Sequence, residues 1–468
     1  MKIVIIGAGP GGYVAALKGA QMGADVTVIE GREVGGTCLN EGCIPTKTLI
    51  ASAEAYVTAL HCDSYGIDFN GTLTPNVQKL MARKNGVIST QVKGIRALFK
   101  SWGVKLKEGR AGFISEKEVR VVRGDGQEEV ISGDKFIIAT GSRPAEIPTF
   151  PFDGKRIISS SDALNMDGIP ASMIIIGAGV MGCEFACIYR SFGTDVTMVE
   201  LMPRALTTED PEISQVLERE LKKKKIKLIT DVKVDRVSVD QECPGAIKND
   251  VRAFLSNGKE LKAEKLLVTI GRAFNSDGIG LDKVGVTPGK GGVISVNAMM
   301  QTSNPDVYAI GDVVGGMLLA HVASTEGMVA VKNIMGHKEE MDYTCVPAGI
   351  FTSPEIGSVG MREHQLQERG IKYRKGQFHY RALGKAHAMG EITGMFKVLS
   401  DDAGKAILGV HIVGHNASDI IHEAAVAIKA GLPVKALAET IHAHPTLAEG
   451  LMEAAEDVFG EAVHAPRK

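Results

Sequence analysis

The stretch KIVIIGAGPGG at residues 2–12 joins a short β-branched run to a glycine-rich turn, and an alanine-rich segment follows it. Such a run is typical of a buried parallel strand. A second strand is predicted over residues 24–29, and it ends at Glu30, 23 residues after the first glycine of the turn. Strand, glycine turn, helix, strand and acid in this order predict a dinucleotide-binding unit. Its glycines are Gly7, Gly9 and Gly12.

Each of these residues has a physical task in such a unit. Gly7 makes the tight turn, Gly9 lets a pyrophosphate approach the backbone, and Gly12 lets the helix pack against the strand. Glu30 can accept hydrogen bonds from a ribose.

The same arrangement returns 170 residues later. A predicted strand over residues 173–176 leads into a second glycine turn, and a strand over residues 195–199 ends at Glu200. Two units imply two dinucleotides, and a protein that binds two can pass electrons between them. A duplicated scaffold with one inactive site is the alternative. The second set of glycines is Gly177, Gly179 and Gly182.

Composition sets the class of protein. A chain of 468 residues is long enough for about three domains of ordinary size, each with its own hydrophobic core. A net charge of −2 gives no electrostatic reason to expect nucleic acid or an anionic membrane as a partner. No run of apolar residues is long enough to span a bilayer, and the N-terminal run stops at Gly7, too early for a signal peptide. We expect a cytoplasmic protein or a processed organelle protein.

The segment GGTCLNEGCIPTK at residues 35–47 carries Cys38 and Cys43. Two cysteines this close can form a small-loop disulfide that suits redox exchange, and a helix predicted from Pro45 onward would favour a thiolate at its start. The alternatives are two structural cysteines or half of a zinc site, although no C-x-x-C or H-x-x-x-H partner occurs elsewhere. The other cysteines have no motif, and we expect buried thiols in a reducing compartment for Cys62, Cys183, Cys187, Cys243 and Cys345.

This whole segment resembles the redox-active disulfide segment of the flavin-dependent pyridine nucleotide-disulfide oxidoreductases, which often reads GGTCLNxGCIPSK; Thr46 stands where serine is usual. The resemblance covers essentially the whole chain. It implies an α/β fold with two Rossmann-like dinucleotide-binding domains, for FAD and NAD, and a C-terminal α+β dimerisation domain. It also implies a redox disulfide between Cys38 and Cys43, with Cys38 exchanging with substrate and Cys43 adjacent to the flavin.

Three further segments resemble parts of the same family. The strings ATGSRP at 139–144 and GRAFN at 271–275 resemble the crossings between its nucleotide-binding domains. TSNPDVYAIGD, which ends at Asp312, matches its second FAD motif, although Gly311-Asp312 alone would read as an ordinary turn. A helix predicted from Ala320 could place its N-terminal dipole near a reduced flavin. The implied cofactor contacts are Thr140, Gly141, Asp312 and Ala320 for FAD and Gly271 for NAD.

Proline residues between 144 and 151 favour an extended connection, so we expect the first domain boundary near residue 147. Strands at 394–399 and 407–413 and helices at 419–430 and 446–459 are predicted near the C-terminus. The expected domains are FAD-binding (1–147), NAD-binding (148–271), a central part completing the FAD site (272–345) and dimerisation (346–468).

His444 and Glu449 form a second chemical constellation in HPTLAE. A histidine can take a proton from a substrate thiol, and a carboxylate on its other nitrogen would orient it. A T-x-x-E capping box from Thr446 to Glu449 would explain both of those residues without catalysis, and His442 and His444 could be surface histidines. The resemblance implies function for His444 and Glu449, contributed across a dimer interface.

Lys47 and Glu184 complete the candidates. Lys47 lies about one turn beyond Cys43, and Glu184 follows the second glycine motif by two residues. A solvated lysine and a first-turn helix glutamate are the simplest interpretations. The resemblance implies an ion pair beside the flavin.

Glu200 indicates the nucleotide, because an acid here accepts from a free ribose hydroxyl and repels a 2′-phosphate, which favours NAD over NADP. Arg204 is expected to be solvated. Within the family the chain most resembles members that oxidise dihydrolipoyl groups on the lipoyl-bearing protein of a 2-oxoacid dehydrogenase complex or glycine cleavage system. An NADH-dependent reductase of another small disulfide and a non-catalytic scaffold remain alternatives. Residues 380–391 and His415 depart from the common pattern.

Overall fold

The computed structural model describes residues 1–239 and 250–466, so Cys243 lies outside the described residues. Within that part of the chain, none of the helices has the length and apolar character that a membrane crossing requires. The strands are β1 (Lys2–Ile6), β2 (Asp25–Glu30), β3 (Lys105–Glu108), β4 (Arg110–Ser115), β5 (Glu118–Val122), β6 (Glu128–Ser132), β7 (Lys135–Ile138), β8 (Ser142–Pro144), β9 (Ile157–Ile158), β10 (Ser172–Ile176), β11 (Asp195–Val199), β12 (Lys227–Ile229), β13 (Val234–Val239), β14 (Val251–Leu255), β15 (Glu260–Ala263), β16 (Lys265–Val268), β17 (Arg272–Phe274), β18 (Val307–Ala309), β19 (Ala348–Ile350), β20 (Ile356–Gly360), β21 (Tyr373–His379), β22 (Met395–Asp401) and β23 (Ile407–Val413). The α-helices are α1 (Pro10–Gln21), α2 (Gly36–Glu41), α3 (Cys43–Leu60), α4 (Val77–Ser101), α5 (Ser160–Ala163), α6 (Val180–Ser191), α7 (Pro211–Lys223), α8 (Ala320–Ile334), α9 (Glu363–Glu368), α10 (Gly384–Met389), α11 (Ala417–Lys429), α12 (Val434–Glu439) and α13 (Glu449–Asp457).

Two parallel sheets carry the two glycine turns. The first has the strand order β18-β7-β1-β2-β3 and the second β12-β11-β10-β16-β9. Their central strands, β1 and β10, are buried on both faces, as their continuous β-branched runs predict. Strand β18 returns to the first sheet after the whole second sheet, and pairs with β7 in parallel. The predicted pair of Rossmann-like units is confirmed.

The C-terminal part is an antiparallel sheet of order β19-β20-β23-β22-β21, with helices α11 and α13 packed on it. The α+β architecture is therefore confirmed as well. The helix predicted over 446–459 is shorter than expected, since α13 begins at Glu449 and ends at Asp457. Residues 444–448 form an irregular connection instead.

The cysteine segment forms two helices where the sequence suggested one. Cys38 lies in α2, and Cys43 is the first residue of α3. Gly42 separates the helices at a tight point, because a Cβ there would lie 2.9 Å from the carbonyl oxygen of Thr37. Helix α3 packs against α4 and α6, and Leu49 of α3 is buried in the same core as Phe185 of α6. The cysteines are thereby held where the two sheet units meet.

The glycines of the two turns divide into two physical kinds. At Gly12 a Cβ would lie 1.9 Å from the carbonyl oxygen of Gly7, and at Gly182 a Cβ would lie 2.0 Å from that of Gly177. These two carbonyl oxygens therefore leave no room for a side chain at Gly12 or Gly182. At Gly179, by contrast, nothing lies within 4 Å of a built Cβ. The fold leaves that position open, as a site for a ligand requires.

Substitution at the second turn should separate these two kinds of glycine. We expect Gly182→Ala to destabilise the protein by about 1–3 kcal/mol, because α6 must shift to admit the methyl group. Gly179→Ala should leave stability unchanged and weaken NAD+ binding. Urea unfolding without nucleotide and NAD+ titration of both variants measure the difference. Equal losses of stability in the two variants would contradict this division.

A buried ion cluster joins the second sheet unit to the C-terminal sheet. The ammonium of Lys397 in β22 has no solvent exposure, and its Nζ lies 2.8 Å from Asp210 Oδ1 and 2.7 Å from Glu212 Oε2. Glu363 also contacts Lys397. Burial alone would raise the pKa of Asp210, but surrounding positive charges, Lys397 among them, hold it below its ordinary value. The cluster thus fixes α7 to the C-terminal sheet through charge.

We expect Lys397→Met to lower the free energy of unfolding by about 3–5 kcal/mol at neutral pH, because the fully buried carboxylate of Asp210 would lose the lysine that pairs with it. The folded-state pKa values of Asp210 and Glu363 are depressed, so the cluster stabilises the parent above the ordinary carboxylate range and stops doing so as pH falls through the lowered values. The difference between variant and parent should therefore shrink in acid. Urea unfolding at neutral and acidic pH measures it.

The exposed pair of Lys429 and Asp342 supplies the control. Lys429→Met should cost far less than Lys397→Met, because water already screens that pair. Similar losses in the two variants would show that burial of the Lys397 charge is not the source of the effect.

Candidate functional site

The structure holds Cys38 and Cys43 as free thiols in contact across the break between α2 and α3. A hydrogen bond from Cys38 lowers the pKa of Cys43 to about 7, with help from the charge of Lys47 and against the effect of burial. The same hydrogen bond, together with burial, raises the pKa of Cys38. Of the reduced pair, Cys43 is therefore the thiol that ionises first.

Lys47 and Glu184 form an ion pair beside these cysteines. Lys47 Nζ lies 2.9 Å from both carboxylate oxygens of Glu184. Glu184 is buried, and its Oε1 also accepts a hydrogen bond of 2.9 Å from the backbone N–H of Phe351. The interpretation of Lys47 as a solvated lysine is wrong, because its ammonium is committed to this carboxylate.

The first glycine turn has the form of a dinucleotide cradle. The nearest atom to a Cβ built on Gly9 is 3.9 Å away, so this side of the turn is open. Glu30 is held at the end of β2 by the backbone N–H groups of Ala8, at 2.7 Å, and Arg32, at 2.8 Å. Thr140 Oγ1 is buried without a hydrogen-bond partner in the described chain. A polar ligand in this cradle would supply that partner.

The second turn repeats the first. Glu200 accepts hydrogen bonds from the N–H groups of Ala178, at 2.6 Å, and Met202, at 2.8 Å. A cavity of about 330 Å³ lies beside it, lined by Gly177, Gly179, Glu200 and Thr269 among others. Gly271, at the following crossing, has a φ of +134°. Both acids therefore lie at the mouth of an open glycine turn, as the spacing predicts.

Arg204 does not reach this mouth. Its guanidinium donates to the carbonyl oxygens of Leu206, Thr207 and Glu209 and to Ser214 Oγ. The expectation of a solvated side chain is therefore wrong. Because both terminal nitrogens of Arg204 already donate hydrogen bonds to these groups, Arg204 is not free to pair with a 2′-phosphate.

Asp312 lies at the first sheet unit and is already part of a polar network. Ser142 donates a hydrogen bond to Asp312, and Arg272 Nε lies 3.6 Å from the same carboxylate oxygen. Arg272 also donates to the carbonyl oxygen of Ser142 at 2.8 Å. Sequence reasoning missed Ser142 and Arg272, although Ser142 directly follows Gly141 and Arg272 directly follows Gly271 in the two crossings.

Helix α8 begins at Ala320, as predicted, near this network. Its buried Glu326 accepts hydrogen bonds from the N–H of Gly311 at 2.6 Å and from the hydroxyl of Tyr343 at 2.7 Å. Gly311 has a φ of +70°, so this carboxylate supports a turn that suits glycine. Glu326 was not predicted, because a glutamate in a helix gives no sign of a distant backbone partner.

His444 and Glu449 are in contact. His444 Nδ1 lies 2.8 Å from Glu449 Oε1, while Glu449 Oε2 accepts the N–H of Thr446 at 2.8 Å. Burial would raise the pKa of Glu449, but these bonds and the neighbouring histidines hold it below its ordinary value. The capping box is only half formed, because Glu449 accepts the N–H of Thr446 but Thr446 Oγ1 has no partner in the described chain. The side chain of His444 is 77% exposed.

His442 is not a surface histidine. Its side chain is only 6% exposed, with Nε2 3.0 Å from Glu423 Oε1 and Nδ1 2.8 Å from the carbonyl oxygen of Thr440. Glu423 lies on α11, so this pair attaches the segment before His444 to the C-terminal sheet layer. Sequence reasoning offered no signal for Glu423.

Comparison with known proteins agrees with this geometry. The model of the family described as pyridine nucleotide-disulphide oxidoreductase matches residues 1–327, and the model of its dimerisation domain matches residues 346–455. The chain is 40% identical over 465 residues to a dihydrolipoyl dehydrogenase of Chlamydia trachomatis serovar D, covering 99% of this chain and 98% of the relative. It is 40% identical over 480 residues to a dihydrolipoyl dehydrogenase of Bacillus subtilis, with the same coverage.

Solved structures give the same result. LpdA of Mycobacterium tuberculosis superposes with a TM-score of 0.90 at 28% identity, covering 97% of this chain and 99% of that one. A flavoprotein disulfide reductase of Escherichia coli, RclA, described as induced by HOCl, superposes with a TM-score of 0.85 at 26% identity, covering 97% and 99%. Sequence, fold and site together place the chain in the pyridine nucleotide-disulphide oxidoreductase family.

Proposed function

We propose that this protein oxidises dihydrolipoyl groups to the lipoyl disulfide and reduces NAD+ to NADH, with FAD as its flavin. The observation that carries this function is the Cys38–Cys43 pair, placed between two dinucleotide cradles and beside a buried ion pair. Full-length identity of 40% to dihydrolipoyl dehydrogenases supports the substrate. FAD and NAD are the cofactors of this family.

The residues at the first cradle fit FAD. Gly9 leaves the turn open, Thr140 presents an unsatisfied hydroxyl, and Asp312 presents a carboxylate fixed by its neighbours. We assign Gly7, Gly12, Glu30, Gly141, Ala320 and Lys47 to the same cofactor, and Gly177, Gly179, Gly182, Glu200 and Gly271 to NAD. When bound, FAD accepts two electrons from the reduced cysteine pair and supplies hydride to NAD+.

The cysteine chemistry follows from the two different thiols. A substrate thiolate attacks Cys38 of the oxidised pair, the Cys38–Cys43 bond breaks, and Cys43 leaves as the thiolate that the site stabilises. The second substrate thiol then gives up its proton and attacks the substrate sulfur of the mixed disulfide. The substrate leaves as its cyclic disulfide, and Cys38 leaves as a thiolate that takes up that proton. Two electrons have moved to the protein, and both cysteines of the pair are now reduced.

His444 is the proton acceptor for the incoming thiol in this proposal. Its Nδ1 is bonded to Glu449, which orients the ring and stabilises the charge it gains, while Nε2 is left for substrate. Since the side chain of His444 is 77% exposed and the dimerisation-domain model matches residues 346–455, we place it across a homodimer interface, serving the cysteines of the other chain.

Glu200 selects NAD over NADP by the argument above, and the engagement of Arg204 supports this choice. We place the reaction in the cytoplasm, with a lipoyl-bearing protein of a 2-oxoacid dehydrogenase complex or glycine cleavage system as the partner. We also propose the domain division 1–147, 148–271, 272–345 and 346–468. The assignment of β18 to the first sheet supports the central part as a completion of the FAD domain.

The purified flavoprotein should reduce NAD+ with free dihydrolipoamide and should not reduce NADP+. Cys43→Ser should keep its FAD and lose this turnover, because serine at position 43 cannot form the disulfide that accepts the electrons of the substrate. Absorbance of NADH at 340 nm follows the reaction. If dihydrolipoamide failed while NADH reduced glutathione disulfide or coenzyme A disulfide, the second candidate function, a reductase of small disulfides, would replace this one.

Removing the histidine base should slow dithiol oxidation. We expect His444→Gln to lower kcat by about 10²–10⁴-fold, the usual contribution of a positioned base, and Glu449→Gln to lower it by less. Thr446→Val is the matched control, because the Thr446 hydroxyl has no hydrogen-bond partner in the described chain. Turnover of His444→Gln at the parental rate would exclude His444 as the base.

A further inference from the structure

Phe351 occupies the point at which three parts of the chain meet. It directly follows β19 of the C-terminal sheet, whereas Lys47 belongs to α3 and Glu184 to α6. Its backbone N–H donates to Glu184 Oε1 at 2.9 Å. The centroid of its ring lies 4.4 Å from Lys47 Nζ. The ammonium of Lys47 is therefore held between a carboxylate and the face of an aromatic ring.

Packing fixes where this ring can lie. A Cβ built on Gly349 would lie 3.4 Å from Cε2 of the Phe351 ring and 3.3 Å from Cβ of Ser418. A methyl group at position 349 would lie in contact with both the ring and Ser418, so Gly349 borders the space that the ring occupies. The ring is half-buried, and a partly desolvated cation–π contact is stronger than an exposed one.

The position of the Lys47 ammonium matters to the cysteines. Its side chain is 30% exposed, and the ring contacts an ammonium that Glu184 also pairs with. The titratable and charged groups that act on Cys43 are Cys38, Lys47, Glu184 and Arg272. Lys47 and Arg272 are the cations of this set, and Lys47 is the one that the ring contacts.

We propose that the ring of Phe351 is a positioning element for dithiol chemistry, which holds the Lys47 ammonium beside Cys43 and so favours the Cys43 thiolate. The proposal rests on the dithiol function proposed above. It makes the redox site dependent on an aromatic side chain of the C-terminal sheet. The backbone bond from Phe351 to Glu184 survives any side-chain substitution, so variants at this position change the ring alone.

Alkylation of Cys43 in the holoprotein reduced with dithiothreitol tests the proposal. Iodoacetamide reacts with the thiolate, and peptide mass spectrometry follows Cys43 separately from Cys38. Phe351→Leu and Phe351→Met remove the aromatic face, and Phe351→Tyr retains it as the matched control. We expect the first two variants to raise the pH midpoint of alkylation by about 0.5–1 unit, which is roughly three- to tenfold less thiolate below the midpoint, and the third to match the parent.

A double-mutant cycle with Lys47→Met separates positioning from general loss of structure. Once the ammonium is absent, Phe351→Leu should cause no additional shift. The proposal is overturned if both ring-less variants titrate like the parent, if Phe351→Tyr shifts as far as they do, or if the shift persists beside Lys47→Met. Failure of the parent to oxidise dihydrolipoamide would instead overturn the proposed function, and the alkylation comparison would still decide the role of Phe351.

Discussion

The ion pair of Lys47 and Glu184 is the contact on which the arrangement of the site depends. It joins α3, which begins at one cysteine, to α6, which begins at the second glycine turn. A buried carboxylate is costly unless its charge is matched, and Glu184 gains both a cation and a backbone N–H. The contacts of Glu184 with Lys47 and with the N–H of Phe351 therefore fix α3, α6 and the end of β19 relative to one another.

The two dinucleotide units show how a duplicated turn can serve different neighbours. In both, the last glycine of the motif is required by the chain, because its Cβ would strike the carbonyl oxygen of the first. In both, the acid at the end of the second strand is fixed by two backbone N–H groups. What differs is the surroundings: Asp312 and Thr140 lie beside the first turn, and an open cavity lies beside the second. The two glycine turns thus have the same local geometry, and residues from elsewhere in the chain give each turn a different ligand environment.

Local spacing predicted most of the fold and the identity of the chemical groups, for a physical reason. A glycine turn, a cysteine pair and an acid at a strand end can each be recognised within about thirty residues of sequence, the length of one strand–helix–strand unit. The residues that contact these groups from elsewhere in the chain cannot be recognised in this way. Phe351 is 167 residues from the carboxylate that its N–H meets, and Arg272 is 130 residues from the serine it holds. Such contacts follow from packing of whole domains, so Phe351 and Arg272 escaped prediction. The partners of Glu423 and Arg204 are nearer, 19 residues away for Glu423 and at most ten for Arg204, but no motif spacing indicates these contacts.

The return of β18 to the first sheet also sets an order for assembly. Val307 of β18 pairs with Phe136 of β7, and every strand of the second sheet lies between them in the chain. During synthesis the second unit is complete before the ribosome has made residues 307–309, so the first sheet waits with the edge of β7 unpaired. An exposed strand edge invites association with other chains. The N-terminal domain, although translated first, therefore cannot close until residues 307–309 have been made, and until then the edge of β7 needs protection from other chains.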